Sequence, residues 1–436
     1  MYWYFDLERV PDLSLTKYMS LDESGVDGVL KKHASFLRQL NRKGLLSRVF
    51  FHLLYRYDPD RASGEKLSVS LIAGGEPAAL LHTRELIQSS AVSPYYDIIS
   101  SERACVLEAV PGEGGLLLTV ENHLGFRSVY RLEGGTVCKG SFFQGKKPAE
   151  AFRDGSFRNQ VFSIRVLGER LLELDSSCQV GPDGLKMDAR RYGFRSVLSK
   201  REFFVQPSVI LPDDNDLKYY KVARWEMSED ARLYNMLALM KGLDCHAVFR
   251  ADLFAVDYAL RLREVLPIQE LRDRTSMRAV KSASSIAVSR DENAEETLKQ
   301  YNELIESYES SPHFRMNLVS FADEADIAEL VADAAGAEAL EAGSYTIRTL
   351  SAAELGGPMT QYSAMDRPID AAQEEVVRYL RFLPNLFLLE EVRPFFLFPA
   401  LYDGESVEIP KETSPSYQAE GLRLAVDENG YDVTFP

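Results

Sequence analysis

Hydrophobic residues in the first ninety positions recur with two different periods. A spacing of three and four residues over 26–40, followed by Gly44, predicts a helix. Strict alternation then predicts two strands, with one face of each formed by Val49, Phe51, Leu53, Tyr55 and Tyr57 and by Leu67, Val69, Leu71 and Ala73. A helix is predicted over 77–87, and short strands separated by glycine-rich turns follow over 103–180. We therefore expect residues 1–210 to form a β-rich N-terminal region, arranged as a meander or small barrel.

The pattern changes after the polar segment 211–216, which predicts a domain boundary. Predicted strands over 219–225, 247–253, 314–321 and 344–350 then alternate with helices. Four helices are predicted: the first is capped by Ser228, and the other three cover 258–272, 291–308 and 323–335. Ser289 and Glu292 match a capping box before the third of them. This alternation predicts an α+β fold, with split βαβ character over 217–355.

The remaining residues, 356–436, are predicted to be a linker that leads into a terminal β-hairpin, with a short helix over 371–382. Leu422, Leu424 and Val426 alternate on one arm of the hairpin, and residues 431, 433 and 435 alternate on the other. Asn429-Gly430 lies between the arms and suits the positive φ angles of a tight hairpin turn.

The composition is that of a globular protein with two or three domains. The chain has 436 residues, of which 45% are hydrophobic and 27% are charged. No apolar run approaches the roughly 20 residues that span a bilayer, and a net charge of −16 argues against a general phosphate-binding surface. The four cysteines form no C-x-x-C pair. We expect a reduced, metal-free, cytoplasmic protein.

Four segments carry a resemblance to a known family. They are 219–225 (Tyr-Tyr-Lys-Val-Ala-Arg-Trp), the acidic helix 291–308, 311–315 (Ser-Pro-His-Phe-Arg) and 337–343 (Ala-Glu-Ala-Leu-Glu-Ala-Gly). Together they resemble the non-ATPase N-terminal part of HerA/FtsK-superfamily motors, in particular conjugative type IV secretion ATPases and HerA-like ATPases of phage defence. In that family a hairpin like the terminal one stands just before the phosphate loop.

The resemblance implies a function in assembly. The chain would be the oligomerisation and partner-binding portion of a ring ATPase for DNA translocation, secretion or defence, with protein partners and DNA as candidate contacts. ATP and Mg²⁺ would bind only in a downstream core, so we expect no catalytic, cofactor or metal residues in this chain. The alternative is an independent protein-binding scaffold that has no ATPase.

Four local motifs have residue types that could bind a ligand or act in catalysis. Residues 140–147 (Gly-Ser-Phe-Phe-Gln-Gly-Lys-Lys) match the spacing of a phosphate loop, but Lys147 replaces the Mg²⁺-binding hydroxyl and Pro148 follows. Cys245 and His246 are neighbours that point to opposite faces of a strand, which favours a buried thiol beside a partly exposed imidazole over a shared ligand. The acidic residues at 213–216 could bind a cation, but a boundary loop explains them better. The glutamate pair at 390–391 could act in acid–base catalysis, but alternation along a strand explains it better.

Basic residues concentrate in one segment of this acidic chain. Between 261 and 290 they outnumber acidic residues, and the candidate nucleic-acid or partner contacts are Arg272, Arg274, Arg278 and Lys281. A solvated loop between helices is the competing interpretation.

Overall fold

A long, mostly antiparallel sheet connects the N-terminal and C-terminal parts of the described chain, and helices complete an α+β fold. The fold class is therefore the one that the sequence predicts. The computed structural model describes residues 2–13, 25–42, 49–75, 77–89, 97–112, 115–121, 127–133, 136–139, 163–167, 170–175, 178–181, 184–187, 192–210, 218–228, 231–255, 258–284, 290–351, 383–402, 404–409, 425–426 and 432–433.

Where the chain is described, the elements that periodicity predicts occur in the predicted order, and further strands that it does not predict occur at 2–9, 194–200 and 202–205. The strands of the first part are β1 (Tyr2–Arg9), β2 (Val49–Tyr57), β3 (Leu67–Gly75), β4 (Asp97–Gly112), β5 (Gly115–Glu121), β6 (Arg127–Glu133), β7 (Thr136–Lys139), β8 (Ser163–Leu167), β9 (Arg170–Asp175), β10 (Cys178–Gly181) and β11 (Gly184–Met187). The later strands are β12 (Phe194–Lys200), β13 (Glu202–Val205), β14 (Tyr219–Val222), β15 (Ala247–Ala255), β16 (His313–Ala322), β17 (Tyr345–Ser351), β18 (Leu386–Leu388), β19 (Ala425–Val426) and β20 (Asp432–Val433). The helices are α1 (Gly25–Arg42), α2 (Pro77–Ser89), α3 (Tyr234–Lys241), α4 (Tyr258–Ser284), α5 (Glu292–Ser310), α6 (Ala325–Ala339) and α7 (Leu389–Val392), with a 3-10 turn at Leu383–Asn385.

The strand order along the sheet is β17-β12-β16-β15-β2-β3-β1-β4-β5-β6-β7, with β18 beside β16, and β8 beside β4 and β9. From β4 to β7 each strand pairs antiparallel with its successor, which is the predicted meander. β16 and β17 both pair antiparallel with β12, which lies between them, and α6 connects them. These three strands and their helix form a split βαβ arrangement, and its middle strand, β12, precedes the region 217–355 in which the sequence predicts it.

The pairing of β2 with β15 joins segments from the two sides of the predicted boundary at 211–216. Its register runs from Phe51↔Leu253 to Tyr57↔Ala247. β12 also precedes the boundary in sequence and pairs with β16 and β17 beyond it. The division into 1–210, 217–355 and 356–436 stays a prediction about folding units, and the hydrogen bonding of the sheet is continuous across its first boundary.

The alternating face predicted for β2 lies in the core. Phe51, Leu53 and Tyr55 are almost completely buried, and they join one apolar cluster with side chains from β3, β15, β16, α1, α3, α6 and the segment 395–401. Burying one side chain of this size stabilises the fold by about 1.5–3 kcal/mol relative to leaving it exposed. The opposite face of β2 is buried as well, since Leu54 is only 1% exposed.

The N-terminus of α3 is capped by a distant side chain. The helix begins at Tyr234, and Leu233 precedes it in a left-handed conformation with φ 59°, so the predicted cap at Ser228 is wrong. The carboxylate of Glu338 on α6 accepts hydrogen bonds from the backbone N–H groups of Tyr234 and Asn235, at 2.9 and 2.7 Å. The first N–H groups of a helix have no acceptor within the helix. The Glu338 carboxylate accepts two of these hydrogen bonds in place of a cap residue next to the helix in sequence.

The cap of α5 also differs from the predicted one. Asp291, not Ser289, is the N-cap, and its carboxylate accepts a hydrogen bond from the N–H of Ala294 at 3.1 Å. The same carboxylate accepts from the N–H and hydroxyl of Ser208, at 3.0 and 2.9 Å, and from the hydroxyl of Tyr219 at 2.9 Å. Asp291 is fully buried, and its hydrogen bonds connect the bend at Ser208 and β14 to the start of α5.

Several predicted features fall on residues outside the described ranges. These are the phosphate-loop-like segment 140–147, the loop 356–370, the helix 371–382 and most of the terminal hairpin. Of the hairpin, the described part is the antiparallel pairing of Ala425 with Val433 and of Val426 with Asp432. Within the described residues, no helix combines the length and the apolar character needed to cross a membrane.

Asp291 generates a pH-dependent prediction. Burial alone would raise the pKa of its carboxyl, but the hydrogen bonds from Ser208, Tyr219 and Ala294 outweigh that effect and lower the pKa below its usual value. Asp291 therefore contributes stability above the unfolded-state pKa of about 4, and this contribution is lost as the pH falls through the lower, folded-state pKa. We expect Asp291→Ala to destabilise the fold at pH 7 by about 2–4 kcal/mol in urea unfolding, through the lost cap and the unpaired donors.

The matched control is Asp326→Ala, because Asp326 is an exposed acid in the first turn of α6. We expect that change to cost less than about 1 kcal/mol. Asp291→Asn keeps a hydrogen-bond acceptor but has no titrating group at this position. We therefore expect the free energy of unfolding to fall less between pH 7 and acidic pH in this variant than in the wild type. Parallel pH profiles for the wild type and Asp291→Asn would contradict this interpretation.

Candidate functional site

The four predicted contact residues all lie on α4. The helix continues to Ser284, well past the predicted end at 272, so the segment is helical rather than a loop between helices. Successive residues are rotated by about 100° in a helix. Arg274 and Lys281 therefore lie on the same side of α4, seven residues apart, and both are exposed.

The other two basic residues make contacts within the fold. The guanidinium of Arg278 donates to the carbonyl oxygen of Val209 at 3.0 Å, and its Nε lies 3.7 Å from the carboxylate of Asp291. Its side chain is 13% exposed. Arg272 donates to the neighbouring carboxylate of Asp273 at 2.8 and 2.9 Å. The structure therefore brings Arg274 and Lys281 together at the surface and directs Arg278 inward.

An apolar stripe runs along the exposed side of the same helix. We call Leu266, Met277 and Val280 the α4 stripe; they are 57%, 65% and 65% exposed. They are spaced by eleven and three residues, which places them on one side of a helix. Three of the six large hydrophobic residues that the described part of the chain exposes are in this stripe. The opposite side of α4 packs through Val265 and Ile268 into a cluster with α5 and β14.

A buried ion pair lies beside a small cavity at the C-terminal end of β12. Nζ of Lys200, on β12, donates to Oε1 of Glu391 at 2.6 Å and to the carbonyl oxygen of Leu386 at 3.0 Å. Glu391 also accepts from the backbone N–H groups of Leu388 and Trp225, at 2.7 and 3.3 Å. Both charged side chains are at most 7% exposed. The adjacent cavity has a volume of about 40 Å³, which accommodates water-sized molecules.

The chemistry of this pair indicates a structural role. Burial lowers the pKa of the Lys200 ammonium below its ordinary value, although the Glu391 carboxylate acts in the opposite direction. Both groups are held by the hydrogen bonds just described, and Lys200 also lies over the ring of Phe387 at 4.8 Å. The pair therefore fastens β12 to the segment that contains β18 and α7.

A second buried group of charges lies on the other face of the central strands. Nδ1 of His52 is 2.5 Å from Oδ1 of Asp252, and Nε of Arg250 is 2.8 Å from the same oxygen. Burial would raise the pKa of the Asp252 carboxyl, but Arg250 and His52 lower it below its usual value. The guanidinium of Arg250 also lies 5.0 Å from the ring centroid of Phe321. No described side chain hydrogen-bonds to Nε2 of His52, so this arrangement lacks the nucleophile of a catalytic triad.

A third cluster is formed by the ends of neighbouring strands. Asp58 directly follows β2, His246 directly precedes β15 and Asp323 directly follows β16, and the antiparallel registers align these three positions in one row. Nε2 of His246 is 3.4 Å from a carboxylate oxygen of Asp58 and 3.4 Å from one of Asp60. Its Nδ1 is 3.7 Å from Asp323. Asp58, Asp60 and His246 are thus close enough to share one cation.

Cys245 precedes His246, and the sequence favours a buried thiol beside a partly exposed imidazole over a shared ligand. The side chain of Cys245 is partly buried, and burial and then Asp323 raise the pKa of its thiol. The carboxylates that do approach the imidazole are supplied by the turn after β2, far away in sequence. An Asp-x-Asp pair directly after a strand, at 58 and 60, was the available local signal.

The ion pair at Lys200 generates a prediction about stability. Lys200→Met leaves the Glu391 carboxylate buried without its counter-charge, so we expect a loss of about 3–5 kcal/mol in urea unfolding. Adding Glu391→Gln removes the uncompensated charge and should recover part of that loss, which a double-mutant cycle measures. The control is Lys299→Met, since Lys299 pairs at 3.9 Å with Glu303 on the exposed side of α5. Equal losses for the two lysine variants would contradict the structural role of the buried pair.

The comparisons with known proteins do not identify a family. Neither a scan of the sequence against protein-family models nor a search of curated proteins finds a match. The resemblance to HerA/FtsK motors therefore remains an expectation based on the four sequence segments. What the chain does has to be inferred from its own surfaces and clusters.

Proposed function

We propose that this chain is an assembly and partner-binding unit, the N-terminal portion of a HerA/FtsK-like ring ATPase that serves DNA translocation, secretion or defence. The observation that carries the proposal is the α4 stripe. Three large apolar side chains are more than half exposed along one helix whose opposite side is buried. Clusters of exposed apolar residues mark interaction sites more often than scattered ones do.

The occupant we propose for the α4 stripe is a second copy of this chain. Arg274 and Lys281 form a basic rim beside the stripe, while the chain as a whole carries 66 acidic and 50 basic residues. The basic rim of one copy would therefore be attracted by the net negative charge of another copy. A contact between α4 and a different surface of the next copy is heterologous, and heterologous contacts close into rings when the rotation allows it.

Binding of DNA has less support than self-assembly. Among the four candidate contacts, Arg278 contacts Val209 and Asp291 inside the fold and Arg272 contacts Asp273, while the side chains of Arg274 and Lys281 are exposed. Two cations neutralise few phosphates in an acidic protein, so any contact with DNA would be weak and strongly salt-dependent. An independent scaffold without an ATPase would use the same apolar stripe for an unrelated protein.

The proposal predicts that the 436-residue chain self-associates through α4. We expect the combined change Met277→Glu and Val280→Glu to raise the dissociation constant of the oligomer at least about 100-fold, because carboxylates would have to be desolvated at the contact. Sedimentation or light scattering across a concentration series measures this. The matched control is Leu330→Glu, which changes an apolar residue that is 44% exposed on α6 and should leave association unchanged.

Other outcomes separate the alternatives. A wild-type chain that stays monomeric at high micromolar concentration would contradict self-assembly. If a different protein then binds and the two α4 substitutions abolish that binding, the scaffold interpretation is favoured. Equal effects of Leu330→Glu and of the α4 substitutions would indicate general loss of solubility rather than a specific contact.

A further inference from the structure

We propose that Asp58, Asp60 and His246 form a Zn²⁺-binding site at the end of β2 and β15. The site is independent of the α4 stripe and of the assembly function. Its donors are one imidazole nitrogen and two carboxylate oxygens, which are ligand types that zinc accepts in proteins. All three ligand atoms lie within 4.8 Å of one another.

The distances suit a four-coordinate ion. Zinc binds imidazole nitrogen and carboxylate oxygen at about 2.0–2.2 Å, so two ligand atoms at the corners of a tetrahedron are about 3.4 Å apart. Nε2 of His246 lies 3.4 Å from Oδ1 of Asp58 and 3.4 Å from Oδ2 of Asp60. The separations between the nitrogen and both oxygens are therefore those that one shared ion would impose.

The state of the imidazole nitrogen is a second, independent observation. Nε2 of His246 is shielded from solvent and makes no hydrogen bond, although two carboxylates face it. A buried polar atom without a hydrogen bond is costly, and such atoms are rare in folded proteins. A cation between this nitrogen and the two carboxylates would satisfy all three groups at once.

A third carboxylate approaches the other ring nitrogen of the imidazole. Oδ2 of Asp323 lies 3.7 Å from Nδ1 of His246. A carboxylate beside the second ring nitrogen orients the ring and favours the tautomer whose Nε2 lone pair can bind metal. Asp323 is thus a positioning residue, and it follows β16 in the same row of strand ends as His246.

Nearby groups leave lone pairs of the carboxylate oxygens for a metal. Nε of Arg61 lies 3.7 Å from Oδ2 of Asp58, whereas Nε2 of His246 lies 3.4 Å from Oδ1. The backbone N–H of Asp60 donates to Oδ1 of Asp58 at 3.1 Å and fixes the turn, while a second lone pair of this oxygen remains for a metal. Asp60 is 79% exposed, so an ion can enter from solvent and keep a water molecule as its fourth ligand.

The test is zinc binding by the full chain after treatment with a chelator and desalting. Titration with Zn²⁺ against a competing chromophoric chelator should give one site per chain. We expect His246→Ala to weaken the affinity at least 100-fold and Asp60→Asn at least 10-fold. Because Asp60 is an exposed residue in a turn, its substitution tests the site without endangering the fold.

The matched control is His82→Ala. His82 lies 3.6 Å from Glu85 on α2, and both side chains are mostly exposed, so this pair offers zinc two surface ligands of similar type. We expect zinc affinity and stoichiometry to be unchanged in His82→Ala. Unfolding by urea with the chelator present checks that each variant is folded.

Two further measurements test the coordination geometry of the metal and the effect of zinc binding on stability. Co²⁺ in the same site should give the stronger visible absorption of four-coordinate cobalt, and this signal should disappear in His246→Ala. Zn²⁺ should raise the melting temperature of the wild type and of His82→Ala but not of His246→Ala, because a ligand stabilises only a fold that binds it. The proposal is overturned if zinc does not bind, or if His246→Ala and Asp60→Asn bind it as tightly as the wild type.

Discussion

The antiparallel pairing of β2 with β15 is the contact on which the rest of the structure depends. The two strands are separated by almost the full length of the β-rich part of the chain, yet they pair over a continuous register. Since side chains alternate between the faces of a sheet, a shift by one residue would reverse the face of every residue in β15. The register therefore determines which side chains meet on both faces and at the strand ends.

Each charged cluster on the central strands follows from that register. His52 lies directly opposite Asp252, so the buried imidazole and carboxylate meet across two adjacent strands. The same register, continued by β16, aligns Asp58, His246 and Asp323 at one end of the three strands. The charges within the sheet are paired with each other, while those at its end are open to solvent on one side. This difference in surroundings makes the first cluster structural and the second a candidate ligand site.

Periodicity predicts the local elements of this fold well. The alternation in 49–57 and 67–73 predicts β2 and β3, and the helical spacing in 26–40 predicts α1, because burial of one face depends only on nearby residues. The hydrogen-bond and ion-pair partners of polar groups are often far away in sequence, so periodicity does not predict them. Glu391 lies 191 residues from Lys200, and the cap of α3 is supplied by a glutamate on α6. The candidate metal ligands were missed for the same reason, since the carboxylates that approach His246 come from a different hairpin.

The candidate zinc site and the start of α4 lie at opposite ends of β15. His246 immediately precedes the strand, and α4 begins three residues after its end at Ala255. A strand of nine residues spans roughly 30 Å at about 3.3 Å per residue, which is several times the Debye length of about 8 Å at physiological salt. Bound zinc therefore exerts little direct electrostatic effect on the first turn of α4. β15 is held on both sides by β2 and β16, and a strand fixed in this way does not readily move between two positions. Coupling through β15 between zinc binding and the start of α4 should therefore be weak.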